Sequence, residues 1–265
     1  MREPRHAALQ WVRHWLLSVG PYSIHSPLLY RFVNEALFKA DNRMEVVAED
    51  FRNQFIRNQR PISSFDSGSG ASVKSARTLA DVVKHEVAGQ RLASIFRRII
   101  EFQQASRVLE VGTSVGITTL WLSANPAVEV VTLEANPDLV EIAQEAFKNA
   151  GRNNIRLIPG NADETLSSLL NQGWVPDVAI MDANHRFGPT MNYFRHLAEA
   201  MNDNGIIILD DIHYSREMTE AWREVCAAPR VTLALDCFRF GIVFFDRNLT
   251  KETVPIDVPL NLLLS

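Results

Sequence analysis

The sequence predicts a doubly wound α/β fold, a mostly parallel sheet of seven strands with a reversed last strand, preceded by a helical N-terminal segment. Three observations predict it. From about Ser106 onward, short β-branched runs alternate with helix-length amphipathic stretches. Those runs are apolar almost without interruption, as strands covered on both faces must be. Near the end, two runs stand only a few residues apart, too close for a crossover, so they must form an antiparallel hairpin.

Residues 1–65 read as a helical appendage, with a lid as its expected role. Leu9, Trp11, Val12, Trp15, Leu16 and Val19 recur at helical spacing, and Gly20-Pro21 stops that helix. Ser26 then suits an N-cap and Pro27 the first helical position, with Leu28, Phe32, Leu37 and Phe38 as the apolar face. A third helix is expected over 44–58, and SSFDSGSGAS (63–72) reads as a flexible loop. The main domain is expected over 66–250. Its strands are RVLEVG, VEVVTLEA, IRLIPG, PDVAIMDA and GIIILDD, separated by the amphipathic segments VGITTLWLSA, PDLVEIAQEAFKNAG, ADETLSSLLNQ and GPTMNYFRHLAEAMN. The helix MTEAWREVCAA leads into the closing hairpin, VTLALDCF and GIVFFD, which turns around Arg239 and Gly241. Residues 251–265 are left as a C-terminal tail.

Composition bounds the partners. The 265 residues are 46% hydrophobic and 22% charged, ordinary for a globular protein. A net charge of -4 argues against a general nucleic-acid binder, although RNQFIRNQR at 52–60 is locally basic. Cys226 and Cys237 suit neither a zinc site nor a disulfide framework. No apolar run reaches the roughly 18 residues of a membrane span, and the start lacks a signal-peptide core. A cytoplasmic protein with no membrane partner is the expectation.

RVLEVGTSVGITT is the best-developed motif. A strand ends in Glu110 and turns through Gly112 and Gly116 into a helix, which brings backbone N–H groups toward a ligand. A tight turn without a ligand is the plainer reading. Glu134, closing the second strand, could accept both hydroxyls of a ribose, and Asn161 and Ala162, after the third, could border an adenine. The spacing is not the G-x-G-x-x-G of a dinucleotide site. Glu110 would be a poor neighbour for a pyrophosphate but a good one for an amino group or a positive centre.

LEVGTSVGITT, VVTLEAN, IPGNAD, VAIMDAN and IIILDDI stand in the order and at the spacing of class I S-adenosylmethionine-dependent methyltransferases, which the chain resembles over about 70–246. E-V-G-T-S-x-G resembles the catechol and caffeoyl-CoA O-methyltransferase branch. YSIHSP, GSGA and DDIHYS resemble an uncharacterised bacterial subgroup. The resemblance implies a Rossmann-like domain binding S-adenosyl-L-methionine. Glu110, Gly112, Thr113 and Ser114 would border its amino-acid part, with Gly116 opening the helix. Glu134 and Ala135 would hold the ribose, Asn161 and Ala162 would lie beside the adenine, and Asp182 would face the sulfonium or a metal. In that branch an acid after the fourth strand and an acid-amide pair after the fifth hold a divalent cation. The matching residues here are Asp182, Asp210 and Asp211, hard oxygen ligands suited to Mg2+ or Ca2+. Asp211 departs from the branch, which carries Asn. Metal-free contact with the substrate is a second reading of the acids. A third makes Asp210 a helix cap and Asp211 a solvated side chain.

His185 stands where the branch places a general-base lysine, and its ordinary pKa suits that task; a loop histidine is the alternative. His213 could orient the acceptor. Tyr22, His25 and Tyr30 could line a lid, although a buried, satisfied His25 is the more frequent outcome. The expected function is methyl transfer to a small-molecule hydroxyl, with Asp182 and His185 catalytic. The rivals are a nucleic-acid or other N-methyltransferase and a non-catalytic cofactor-binding protein. MDANH after the fourth strand, where the nucleic-acid enzymes carry N-P-P-[YF], counts against the first. Trp11, Trp15 and Leu16 offer an apolar surface for a homodimer.

Overall fold

The computed structural model describes residues 3–39, 45–63 and 77–258, so the loop expected over 63–72 lies, beyond Ser63, outside the described residues. The N-terminal segment contains α1 (Pro4–Leu17), a 3-10 turn (Pro21–Ser23) and α2 (Pro27–Phe32), which continues as a π-helical stretch (Val33–Phe38); α3 (Val46–Phe55) follows. Ser26 caps α2 by accepting the Leu29 N–H at 3.4 Å, with Pro27 in the first turn, as the residue types require. A two-residue ladder, β1 (Pro61–Ile62) with β2 (Arg77–Thr78), precedes α4 (Leu79–His85) and α5 (Gln90–Phe102). No sequence motif announced these last two helices, although Thr78 and Asp81 form a reciprocal capping box at the start of α4.

The domain then alternates as expected: β3 (Arg107–Val111), α6 (Ile117–Leu122), β4 (Glu129–Glu134), α7 (Pro137–Asn149), β5 (Ile155–Pro159), α8 (Ala162–Asn171), β6 (Val178–Met181), α9 (Phe187–Ala200), β7 (Ile206–Asp210) and α10 (Arg216–Ala227). It closes with β8 (Leu233–Asp236), β9 (Phe240–Phe244) and β10 (Glu252–Pro255). The strand order is β10-β8-β9-β7-β6-β3-β4-β5. β9 runs antiparallel to both β7 and β8, while β10 pairs parallel with β8. Among the described residues the sheet thus has eight strands, not the seven expected. The eighth lies in the segment read as a tail: it is four residues long, ends in Pro255 and sits at the edge, where a missing donor is tolerated.

The central strands β3, β4, β6 and β7 bury both faces, and the period of two splits them between two cores. Val108, Val130, Val178, Ile180, Ile206 and Ile208 pack with α2, the π stretch and α5. Leu109, Val131, Ala179, Met181, Ile207 and Leu209 pack with α8, α9 and α10. The N-terminal segment is part of the first core: Phe32 meets Phe102 and Phe244 edge-on at 5.2 Å. Buried Arg98 donates to the Ala36 carbonyl (2.9 Å) and the Leu37 carbonyl (3.4 Å), satisfying acceptors a helix end would leave open.

α1 is held differently. It buries no residue and leaves Leu9, Trp15 and Leu16 well exposed. Polar contacts fasten it near the carboxyl ends of the central strands: His6 Nε2 to Thr219 Oγ1 (2.9 Å), His14 Nε2 to the Asp236 carbonyl (2.9 Å), and the Glu3 N–H to the Tyr214 carbonyl (3.2 Å). α2 lies at the other end, where Leu28 and Leu29 line a groove with Gly205 and Phe244. Tyr22, His25 and Tyr30 are exposed. The helix near the functional end is therefore α1, not the segment those three residues mark. Among the described residues no helix is long and apolar enough to cross a membrane.

Candidate active site

The carboxyl ends of β3, β4, β6 and β7 gather the expected residues into two adjoining clusters. The first is built by the β3–α6 turn. Gly112 has φ +107°, and a Cβ there would sit 2.2 Å from the Asp182 carbonyl oxygen. At Gly116, with φ +81°, a Cβ would strike the Phe147 ring at 2.6 Å. Both glycines are required, but for close packing of protein on protein rather than for clearance around a ligand. The Gly112 and Thr113 N–H groups donate to the Leu133 carbonyl, which fastens the turn to β4.

Glu110 is 1% exposed, and its Oε2 accepts from Thr119 Oγ1 (2.5 Å) and Thr132 Oγ1 (2.6 Å). Burial pushes its pKa up to about 8; the two threonine hydrogen bonds work against that shift without cancelling it, and Asp182 and Glu134 add to it. Glu134 accepts the Ser114 and Asn136 N–H groups, one on each oxygen, both at 2.8 Å, leaving further lone pairs for a hydroxyl partner. Its pKa is raised by burial, against the pull of those N–H groups. The Ser114 hydroxyl is buried and has no hydrogen-bond partner among the described residues, the kind of orphan a ligand satisfies. Ala135 follows Glu134, and Asn161 caps α8 by accepting the Asp163 N–H at 3.1 Å, with Ala162 beside it. A protonated, buried carboxyl, a hydroxyl-accepting carboxylate and an unpartnered hydroxyl fit an amino-acid-bearing nucleoside.

The second cluster contains Asp182, His185, Asp210 and Asp211. His185 Nε2 lies 3.3 Å from Asp182 Oδ1 and 3.7 Å from Asp211 Oδ2, ion-pair distances at which no hydrogen bond is aligned. Burial alone would lower the His185 pKa; Asp182, Asp211 and Asp210 outweigh it and push it up to about 9. Asp182 is pushed up to about 6 by burial and by Asp210, with His185 opposing. Asp210 is 2% exposed. It does not cap α10; Ser215 does, accepting the Met218 N–H at 3.2 Å. Asp211 holds a left-handed φ of 54°, a conformation that Asn and Asp tolerate best among non-glycine residues.

One residue of this cluster had no motif to announce it. Arg239 reaches Asp210 Oδ1 through Nε and Asp210 Oδ2 through Nη2, both at 3.3 Å, and Asp211 Oδ1 through Nε at 2.8 Å. Those carboxylates raise its pKa further above its already high ordinary value. A lone arginine in a hairpin turn normally reads as solvated, and only the strand register reveals otherwise. The three acids do converge as the resemblance implies, but onto protein cations. Among the described residues no group of three or more His, Cys, Asp or Glu side chains is arranged to hold a metal ion. As arranged, this donor set does not fit a divalent cation. His213, the other histidine of the segment, faces away from the acids and binds Asp236 Oδ2 (2.9 Å) and Thr219 Oγ1 (3.2 Å).

Residues 109–212 match a family model described as a methyltransferase domain. Over that stretch, from β3 to the residues just after β7, the chain is similar to that family. A catechol O-methyltransferase of Mycobacterium tuberculosis is 32% identical over 112 residues, 41% of this chain and 49% of that protein, so the match spans about half of the relative's length. A Mycobacterium ulcerans protein classed as an O-methyltransferase by name alone is 24% identical over 188 residues, 69% of this chain and 80% of that one. Among solved structures, this chain is similar in fold to an O-methyltransferase from Bacillus cereus in complex with SAH, with a TM-score of 0.57 and 19% identity over 81% of this chain and 96% of the other.

Proposed function

We propose that this chain transfers a methyl group from S-adenosylmethionine to an oxygen of a small-molecule acceptor. The observation that carries the reading is the adjacency of the two clusters, for Asp182 belongs to both. Its carbonyl packs against Gly112 of the nucleoside turn while its carboxylate pairs with His185. A donor laid along Glu110, Glu134, Asn161 and Ala162 would direct its methyl group toward Asp182. The names of the relatives, both those matched in sequence and those matched in fold, support the same reaction.

S-adenosylmethionine supplies a methyl group on a positively charged sulfur. Glu110 gives its proton to solvent on binding and, ionised, holds the amino group of the donor. Glu134 accepts its ribose hydroxyls, and Thr113, Ser114 and Ala135 line the turn between them. At the acceptor, His185 takes the hydroxyl proton once its own has been lost, which its carboxylate neighbours defer to about pH 9. The acceptor oxygen then forms a bond to the methyl carbon, and the pair of the breaking C–S bond stays on sulfur. Alignment supplies most of the acceleration. The test is formation of S-adenosylhomocysteine from S-adenosylmethionine with a panel of catechols, phenols and aliphatic alcohols. Turnover with at least one hydroxyl acceptor supports the proposal; methylation confined to amines or nucleic acid would overturn it.

A further inference from the structure

We infer that Arg239 stands in this chain where the resemblance places a divalent cation: it is the counter-charge of Asp210 and Asp211, and it presents the remaining edge of its guanidinium to the acceptor oxygen. Methyl transfer here then runs without a metal ion. The inference rests on the methyl-transfer reading above.

The register puts Arg239 in place. Asp210 pairs with Phe240 across the antiparallel β7–β9 ladder, so the residue before Phe240 falls opposite the residue after Asp210. The hairpin tip is fixed by its own bonds: the Cys237 N–H donates to the Phe240 carbonyl (2.9 Å) and the Phe238 N–H to Asp236 Oδ1 (2.9 Å). Asp236 is in turn held by His213, by Trp222 Nε1 at 3.2 Å and, through its carbonyl, by His14 of α1. Arg239 is thus carried on a braced turn, aimed along two carboxylates, with 38% of its side chain still exposed. Mg2+ or Ca2+ needs oxygens at about 2.0–2.6 Å with little else in the shell. Five of the six oxygens of Asp182, Asp210 and Asp211 lie within ion-pair range of Arg239 or His185. An entering cation would have to displace a guanidinium that bridges two acids, and a planar fork of this kind is the side chain best matched to that task.

The test titrates Mn2+ into the full chain, with and without saturating S-adenosylhomocysteine, and reads free ion by its EPR signal. The expected result is an undiminished signal with the wild-type protein in both conditions, and methyl transfer that a chelator leaves unchanged. Arg239→Gln removes the guanidinium from both acids, leaving His185 beside Asp211, and should bind at least ~10-fold more Mn2+ than wild type. Arg239→Lys keeps a charge and should exclude the ion again. Stoichiometric Mn2+ uptake by the wild-type protein, or transfer abolished by a chelator, would overturn the inference even if neither variant folds. Failure of the homocysteine product to bind, with Mn2+ still excluded, would instead remove the methyl-transfer reading and leave the charge compensation standing.

Discussion

Replacing Glu110 by Gln should stabilise the free protein at neutral pH while disabling its ligand site. The carboxyl is fully buried against two threonine hydroxyls, and burial lifts its pKa from 4.5 in the unfolded chain to about 8. Between those values the folded state binds more protons than the unfolded one, so stability falls as pH rises from about 5 toward 8. At about 1.4 kcal/mol per pH unit, the loss over that window is on the order of 3 kcal/mol. Glu110→Gln keeps an oxygen for both threonines but cannot ionise, so it escapes that loss. The difference in melting temperature, variant minus wild type, should grow by roughly 6–12 °C between pH 5 and pH 8 for a chain of this size. Differential scanning calorimetry across that range reads it directly, and any constant offset from the substitution itself cancels. A difference that stays flat with pH would refute the claim that Glu110 is held protonated by burial, and with it the claim that the site awaits a cationic amino group.

The wild-type rate should rise through about pH 9 as His185 loses its proton, and His185→Asn should lower kcat by about 10²–10⁴ and remove that rise; its retention would assign the limb to another group. Product affinity, measured by calorimetry, should stay within a factor of about three, since His185 is placed at the acceptor and not at the nucleoside. Gly112→Ala forces a Cβ to 2.2 Å from the Asp182 carbonyl oxygen at φ +107°; a loss of at least about 2 kcal/mol is expected in urea unfolding. Asp236→Asn removes the charge that His213 and Trp222 share, and should cost about 2 kcal/mol. Hydrogen exchange should show α1 and the β8–β9 turn protected less than in the wild type. Burial works against the charge of Asp236, but His213 and His14 prevail and depress its pKa, so this contribution is present above the unfolded carboxylate value and is lost as pH falls through the lower folded one.

The central sheet was legible because parallel strands covered on both faces leave unbroken apolar runs, and because a short link between the last two runs can only be a hairpin. What escaped was short or indirect. β10 is four residues at an edge and α4 only seven residues long, whereas the apolar positions of the longer α5, Leu92, Ile95, Phe96, Ile99 and Ile100, do recur at helical spacing. In the site, Glu110, Glu134 and Asp182 were visible as acids closing apolar strands, a pattern set by the strand itself. Arg239 was not, because its place depends on the register of a β7–β9 ladder between residues some thirty positions apart. His213 misled for a related reason. It follows the two aspartates directly, yet the left-handed turn at Asp211 sends the chain away, and the imidazole meets Asp236 and Thr219.

Glu110 and Glu134 are proposed to frame a site for the methyl donor. Calorimetric titration of S-adenosylhomocysteine at pH 7, repeated in two buffers of different ionisation enthalpy, tests it most directly. One molecule should bind per chain with release of about 0.9 proton, the fraction of Glu110 that a pKa near 8 leaves protonated. Glu110→Gln should bind more weakly and release none, and Glu134→Ala should bind more weakly still while releasing the proton. No binding by the wild type, or binding indifferent to both substitutions, would rule out a donor site framed by these two acids.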